Sequence, residues 1–274
     1  MRFGPLVSAG ELRGLLDADD VRIIDARPRG APPSLRGAVH ADLDRQLAQI
    51  GDPAAGGRHP LPPIERFAAQ VGAWGIGPGT RVVIYDDQSG ANAAARLWWM
   101  LRALGHDAVA VLDGGLRTAA GLPTSDDAPT VTPMPPYPHG GAWRLPLVDL
   151  AEVDVARLDP SRRVVDVRSA VRFRGESEPF DPVAGHIPGA VNAPYSENLA
   201  PDGWFRSPEE LRAHYLAKLG PVPPSRAVIH CGSGVTACHT LLALEAAGLP
   251  GAALYVGSWS EWCRSDRPRA TGEG

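Results

Sequence analysis

Short apolar runs closed by a polar or charged residue recur along the chain, each separated from the next by a segment of helical spacing. Val21-Arg22-Ile23-Ile24-Asp25-Ala26-Arg27 has its counterpart in Arg163-Val164-Val165-Asp166-Val167-Arg168. Arg81-Val82-Val83-Ile84-Tyr85-Asp86 matches Arg226-Ala227-Val228-Ile229-His230-Cys231, and Val109-Ala110-Val111-Leu112 matches Ala252-Ala253-Leu254-Tyr255. Runs this short and this apolar fill strands covered on both faces. The helix from Ala93 to Leu104 before Gly105 corresponds to that from Ala237 to Ala247 before Gly248, each glycine a plausible stop. The order predicts an α/β fold repeated in tandem, each half a mostly parallel sheet with helices on both faces. Right-handed crossovers and ligand binding at the carboxyl ends of the strands follow as defaults.

Between the halves, Pro129, Pro133, Pro135, Pro136 and Pro138 precede Gly140 and Gly141. Proline at that density removes backbone donors and fixes φ, so neither helix nor central strand tolerates it. We divide the chain into residues 1–125, a semi-rigid linker 126–145 and residues 146–274.

One stretch carries the chemistry. Ala227-Val228-Ile229-His230-Cys231-Gly232-Ser233-Gly234-Val235-Thr236-Ala237 reads as a strand, a tight turn and the start of a helix. Cys231 stands at the junction, where we expect open access and a basket of inward-facing backbone N–H groups. Gly232 and Gly234 permit the tight turn. A thiol so placed is held as the thiolate at neutral pH, and the N–H groups of Gly232 to Thr236 suit an anion one atom longer. A buried structural cysteine would need neither the glycines nor the helix start. The first half supplies a control: Asp86 stands at the place of Cys231. A carboxylate carries no transferable sulfur, so that half is expected to be catalytically silent.

Composition narrows the field further. The 274 residues suffice for two cores, and a formal net charge of −4 offers no nucleic-acid surface. Three cysteines, Cys231, Cys238 and Cys263, all lie late in the chain, too few and too clustered for a disulfide framework. Neither a leader at Met1-Arg2-Phe3-Gly4-Pro5 nor a membrane span is expected, and a reducing cytoplasm is the expected compartment.

Cys231-Gly232-Ser233-Gly234-Val235-Thr236 resembles the active-site loop of the rhodanese superfamily of sulfurtransferases, in the form of its 3-mercaptopyruvate branch. The thiosulfate branch typically carries Cys-Arg-Lys-Gly-Val-Thr. Arg172-Phe173-Arg174-Gly175, Gly185-His186-Ile187-Pro188-Gly189-Ala190-Val191-Asn192 and Gly257-Ser258-Trp259-Ser260-Glu261-Trp262 resemble further signatures of the superfamily. The resemblance implies two tandem rhodanese-like domains, the first silent, and sulfur transfer through a Cys231 persulfide. A small-molecule donor, 3-mercaptopyruvate, hands sulfur to a thiol acceptor such as a thioredoxin-like protein, or to cyanide. No cofactor, metal, nucleic acid or membrane is implied. Catalytic roles carry over onto Cys231, Ser233, His59 and Asp44, and substrate binding onto Arg172, Gly232, Gly234, Val235 and Thr236. His59 and Asp44 lie in the first half, so the site is expected to draw on both halves. His186 is read as a ring that pins its loop, and Trp259 and Trp262 as core anchors.

One departure bears on the donor. The superfamily's second carboxylate-binding arginine has no counterpart in the shorter, acidic segment Glu176-Ser177-Glu178-Pro179-Phe180-Asp181-Pro182. Mercaptopyruvate is then expected to bind more weakly unless Arg174 or an arginine of the first half substitutes. Thiosulfate is the alternative donor, and a non-enzymatic redox or sulfur-carrier module with a reversible Cys231–Cys238 disulfide is the alternative class. A cysteine phosphatase would need an arginine where Ala237 stands. His230, Cys231, Cys238 and His239 lack metal-ligand spacing.

Overall fold

Buried aliphatic side chains on both faces of the central strands set the architecture, as the uninterrupted apolar runs require. The computed structural model describes residues 4–28 and 33–273. Of the segment expected to open no leader, Met1–Phe3 lie outside the described residues. The chain divides into two compact units, residues 1–49 with 62–144, and residues 50–61 with 145–274.

The first unit holds β1 (Leu6–Val7), β2 (Val21–Asp25), β3 (Ser34–Leu35), β4 (Val39–His40), β5 (Arg81–Tyr85), β6 (Val109–Leu112) and β7 (Thr124–Ser125). Its main sheet runs β1-β6-β5-β2-β4, every pairing parallel, while β3 and β7 form a small antiparallel pair. Helices α1 (Ala9–Arg13), α2 (Leu43–Gln46), α3 (Ile64–Ala73) and α4 (Ala94–Leu104) accompany it. Gly105 closes α4 at φ +105°, a left-handed cap that glycine adopts without steric cost.

The second unit repeats the plan with β8 (Leu147–Val148), β9 (Arg163–Asp166), β10 (Val191–Asn192), β11 (Ala227–His230) and β12 (Ala253–Tyr255). Their order β8-β12-β11-β9-β10, again all parallel, reproduces that of the first sheet strand for strand. Its helices are α5 (Leu150–Ala156), α6 (Ala170–Phe173), α7 (Pro208–Leu219), α8 (Thr236–Ala246) and α9 (Ser258–Trp262). Trp259, Trp262, Phe173, Ile187 and Val228 meet in its core. His186 is buried there, stacked on Phe173 at 3.8 Å with Nδ1 2.8 Å from the Phe173 carbonyl. It pins its loop.

Two segments depart from the simple division. The proline-rich stretch lies hydrogen-bonded along the first unit: Met134 N donates to Gly72 O, Tyr137 N to Ala68 O and Arg144 N to Ala103 O. Residues 50–61, although they precede α3 in the chain, belong to the second unit. The Gly56 amide donates to Glu261 Oε1 at 2.9 Å and that of Arg58 to Ser260 Oγ at 3.0 Å. Gly57, at φ +83°, packs so closely that a Cβ would stand 2.8 Å from Ser260 Oγ.

Candidate active site

The loop after β11 bends back over its own cysteine. The Gly234 amide donates to Cys231 Sγ at 3.1 Å. Gly234 sits at φ +76°, where its missing side chain matters twice: the backbone is left-handed, and a Cβ would lie 2.6 Å from the Val256 carbonyl oxygen. Gly232 does not have a positive φ. What it leaves is space, since a Cβ there would stand 3.1 Å from Arg58 Nη2 and 3.2 Å from Arg172 Nη2. Val235 caps α8 and Thr236 opens it, so the helix start falls beside the sulfur as expected.

Open access is corrected. Cys231 is 1% exposed, because the loop that brings the amide to the sulfur also wraps it. Cys231, Cys238 and Cys263 are buried and form no disulfide among the described residues, and Cys238 Sγ donates to Gly234 O at 3.4 Å.

The loop is braced from behind by α9. Trp259 N donates to Cys231 O and Ser260 N to Gly232 O, both at 2.9 Å. Ser258 is held at φ +55°, a costly conformation for a residue with a side chain. Gly115, at φ +66°, stands at the equivalent point of the first unit. The Ser258 hydroxyl offsets the strain by accepting from Cys231 N at 3.2 Å and donating to Tyr255 O at 2.9 Å.

Ser233 and His59 come together: Ser233 Oγ lies 2.8 Å from His59 Nδ1. Both belong to the second unit, His59 through the segment 50–61. Asp44 belongs to the first unit, on α2, where it lines a cavity with Arg27, Asp42 and Asn92. Arg172, on α6, is bound through Nε and Nη2 to Glu178.

Beneath the sulfur lies a buried ion pair. Arg168 Nη2 meets Asp166 Oδ2 at 2.6 Å, as Arg27 meets Asp25 in the first unit. Burial opposes ionisation of Asp166, but the Arg168 guanidinium outweighs it and holds the acid below the ordinary carboxylate value. His230 has its Nε2 3.8 Å from Asp166 Oδ2. Burial, aided by Arg168, overrides the attraction of Asp166 and depresses its basicity, so the ring is neutral at pH 7.

In the first unit the nest is filled from within. Asp86 Oδ1 accepts from Gln88 N and Gly90 N, and Oδ2 from Asn92 N and Ala94 N, at 2.8–3.2 Å. The carboxylate occupies the amides that an anion would need.

Sequence reasoning missed Arg58, Ser258, Glu178 and Asp181. Arg58 adjoins His59, and Ser258 lies in a noted signature, so both were in view without a contact to interpret them. Arg174, considered as a substitute arginine, is paired with Glu176 at 2.6 Å instead.

Two α/β units of identical strand order, one presenting a buried cysteine whose sulfur accepts the Gly234 amide at the start of a helix, define a tandem rhodanese fold. The rhodanese-like domain family matches residues 8–119 and again 150–265, and the chain belongs to it. It is 42% identical to the probable 3-mercaptopyruvate sulfurtransferase of Pseudomonas aeruginosa across the whole of both chains. Identity to the 3-mercaptopyruvate sulfurtransferase of Homo sapiens is 40%, covering 89% of this chain and 82% of that one. The solved structure of 3-mercaptopyruvate sulfurtransferase from Leishmania major is 33% identical with a TM-score of 0.82, covering 96% of this chain and 75% of that one.

Proposed function

We propose that this chain is a sulfurtransferase that moves sulfur from 3-mercaptopyruvate through a persulfide on Cys231 to a thiol. The observation that carries the reading is the Gly234 amide on Cys231 Sγ, with the Ser233–His59 hydrogen bond two residues away. The Cys231 thiolate attacks the donor's sulfur, forming an S–S bond as the donor's C–S bond breaks. The electron pair of that bond goes to carbon as the pyruvate enolate, which takes up the proton released from the donor's thiol. Ser233, hydrogen-bonded to His59, relays that proton. An acceptor thiol then takes the outer sulfur as its own persulfide and returns Cys231 as thiolate.

The Gly234 amide at Cys231 Sγ and the start of α8 offset the negative charge on the sulfur in both half-reactions. A thioredoxin-like protein suits the acceptor's role, and a reducing cytoplasm suits cysteines that form no disulfide among the described residues. The test is kcat/KM for 3-mercaptopyruvate and for thiosulfate with one thiol acceptor. We expect mercaptopyruvate to be preferred; a thiosulfate preference above about tenfold, or about 1.4 kcal/mol of transition-state binding, overturns the donor assignment.

A further inference from the structure

Two guanidiniums converge on one point of the cysteine loop. Nη2 of Arg58 and Nη2 of Arg172 lie 3.1 and 3.2 Å from where a Cβ of Gly232 would be, and Arg172 Nη1 lies 3.5 Å from it. Both side chains are partly exposed, at 23% and 17%. Each is fixed by an acid behind it. Asp181 pairs with Arg58 Nη1 and, at 2.8 Å, with Arg264, while Glu178 grips Arg172 at 2.7 Å. Phe180 lies against both cations, its ring centroid 5.6 Å from Arg58 Cζ and 5.1 Å from Arg172 Cζ.

From this arrangement we infer that Arg58 and Arg172 are the two jaws of a carboxylate clamp, and that Arg58 determines preference for 2-oxo acid donors. The inference rests on the donor reading above and names the residue that enforces it. Planar guanidiniums suit a planar carboxylate better than any other common cation, because each offers parallel N–H donors. The acids do not cancel the site. They hold the guanidiniums from behind, while Arg58 Nη2 and Arg172 Nη1 and Nη2 stay within 3.1–3.5 Å of the place a Gly232 Cβ would take. Asp181 is the positioning residue of the pair: with Nη1 held behind, Nη2 of Arg58 is the end turned toward the loop. The acidic segment 176–182 thus anchors the arginines.

The experiment compares the wild type with Arg58→Gln, Arg58→Lys, Arg172→Gln and the control Arg174→Gln, whose arginine is engaged with Glu176. Two quantities are read: steady-state constants for 3-mercaptopyruvate and for mercaptoacetone, which lacks the carboxylate, and the Kd of pyruvate by titration calorimetry. Loss of one charged jaw is expected to raise KM and the pyruvate Kd about 10- to 100-fold. Discrimination against mercaptoacetone falls in parallel, and kcat changes far less. Arg58→Lys keeps the charge without the fork and is expected to lose several-fold; should Arg58→Gln not fold, this variant decides. Arg174→Gln keeps wild-type values. An Arg58 variant with KM, discrimination and pyruvate Kd within twofold of wild type overturns the clamp. A wild type inert toward 3-mercaptopyruvate overturns the donor reading instead, and the pyruvate Kd series then judges the clamp alone.

Discussion

Gly234→Ala separates the nest from the rest of the fold. Gly234 lies at φ +76°, and an added Cβ would stand 2.6 Å from the Val256 carbonyl oxygen. The left-handed conformation costs about 1–2 kcal/mol with a side chain. Relieving the overlap means moving backbone, at a typical overpacking cost of about 1–3 kcal/mol. The expected destabilisation is therefore about 2–5 kcal/mol, a large share of the roughly 5–15 kcal/mol that holds a domain together. Gly232→Ala is the matched control. Its backbone needs no glycine, and the added methyl meets the ends of two arginine side chains at 3.1 and 3.2 Å, which need give by only a few tenths of an ångström while keeping their acid partners. Losing unfolded-state freedom then leaves it neutral or stabilised by up to about 1 kcal/mol. Urea unfolding followed by tryptophan fluorescence measures both, and kcat/KM with 3-mercaptopyruvate reports the sulfur. Gly234→Ala is expected to lose both stability and turnover, while Gly232→Ala loses only turnover. Equal unfolding midpoints for the two variants would refute the assignment of the turn to Gly234.

Three further outcomes follow from contacts elsewhere in the second unit. Ser233→Ala or His59→Gln is expected to lower kcat for 3-mercaptopyruvate by about 10²–10⁴-fold, read as pyruvate release; wild-type turnover in either removes the relay. Ser258→Ala keeps the positive φ and loses two hydrogen bonds, and is expected to cost about 1–3 kcal/mol in denaturant unfolding. Ser258→Gly relaxes the backbone and recovers part of that loss; if it is the less stable of the two, the strain argument fails. Stability also depends on pH with a defined sign. The depressed basicity of His230 means that the unfolded chain takes up this proton first, so its contribution is complete above pH 6.5 and declines as pH falls below it. Asp166, also held below its ordinary value, adds a second decline below about pH 3.8. His106 and His214, also depressed by burial, share the upper limb, so His230→Gln is expected to shrink it in urea titrations run from pH 8 to 4; an unchanged profile counts against the assignment.

How much was legible in the chain depends on the range of the interactions. The duplicated strands β2, β5, β6, β9, β11 and β12 announce themselves because each is an apolar run covered on both faces. The two-residue edge strands Leu6–Val7 and Leu147–Val148 are too short to show any period. Cys231, Gly234 and the start of α8 were readable because the nest is built from consecutive residues. The glycines look alike in sequence, yet Gly234 serves the backbone and Gly232 leaves room for arginines. Nothing local shows that residues 50–61 join the second unit: that follows from Gly57 packing on α9 and from Gly56 and Arg58 bonding to Glu261 and Ser260. Arg58 was hidden for the same reason. Its partner Asp181 is far along the chain, and the acidic segment reads as a loss of binding until its carboxylates are seen holding cations.

The most direct test is intact-protein and peptide mass spectrometry after treatment with 3-mercaptopyruvate and no acceptor. One added sulfur per chain is expected, on the peptide containing Cys231, absent in Cys231→Ser and released when a thiol is supplied. Sulfur added at Cys238 or Cys263 instead, or none at Cys231 while pyruvate still forms, would contradict it.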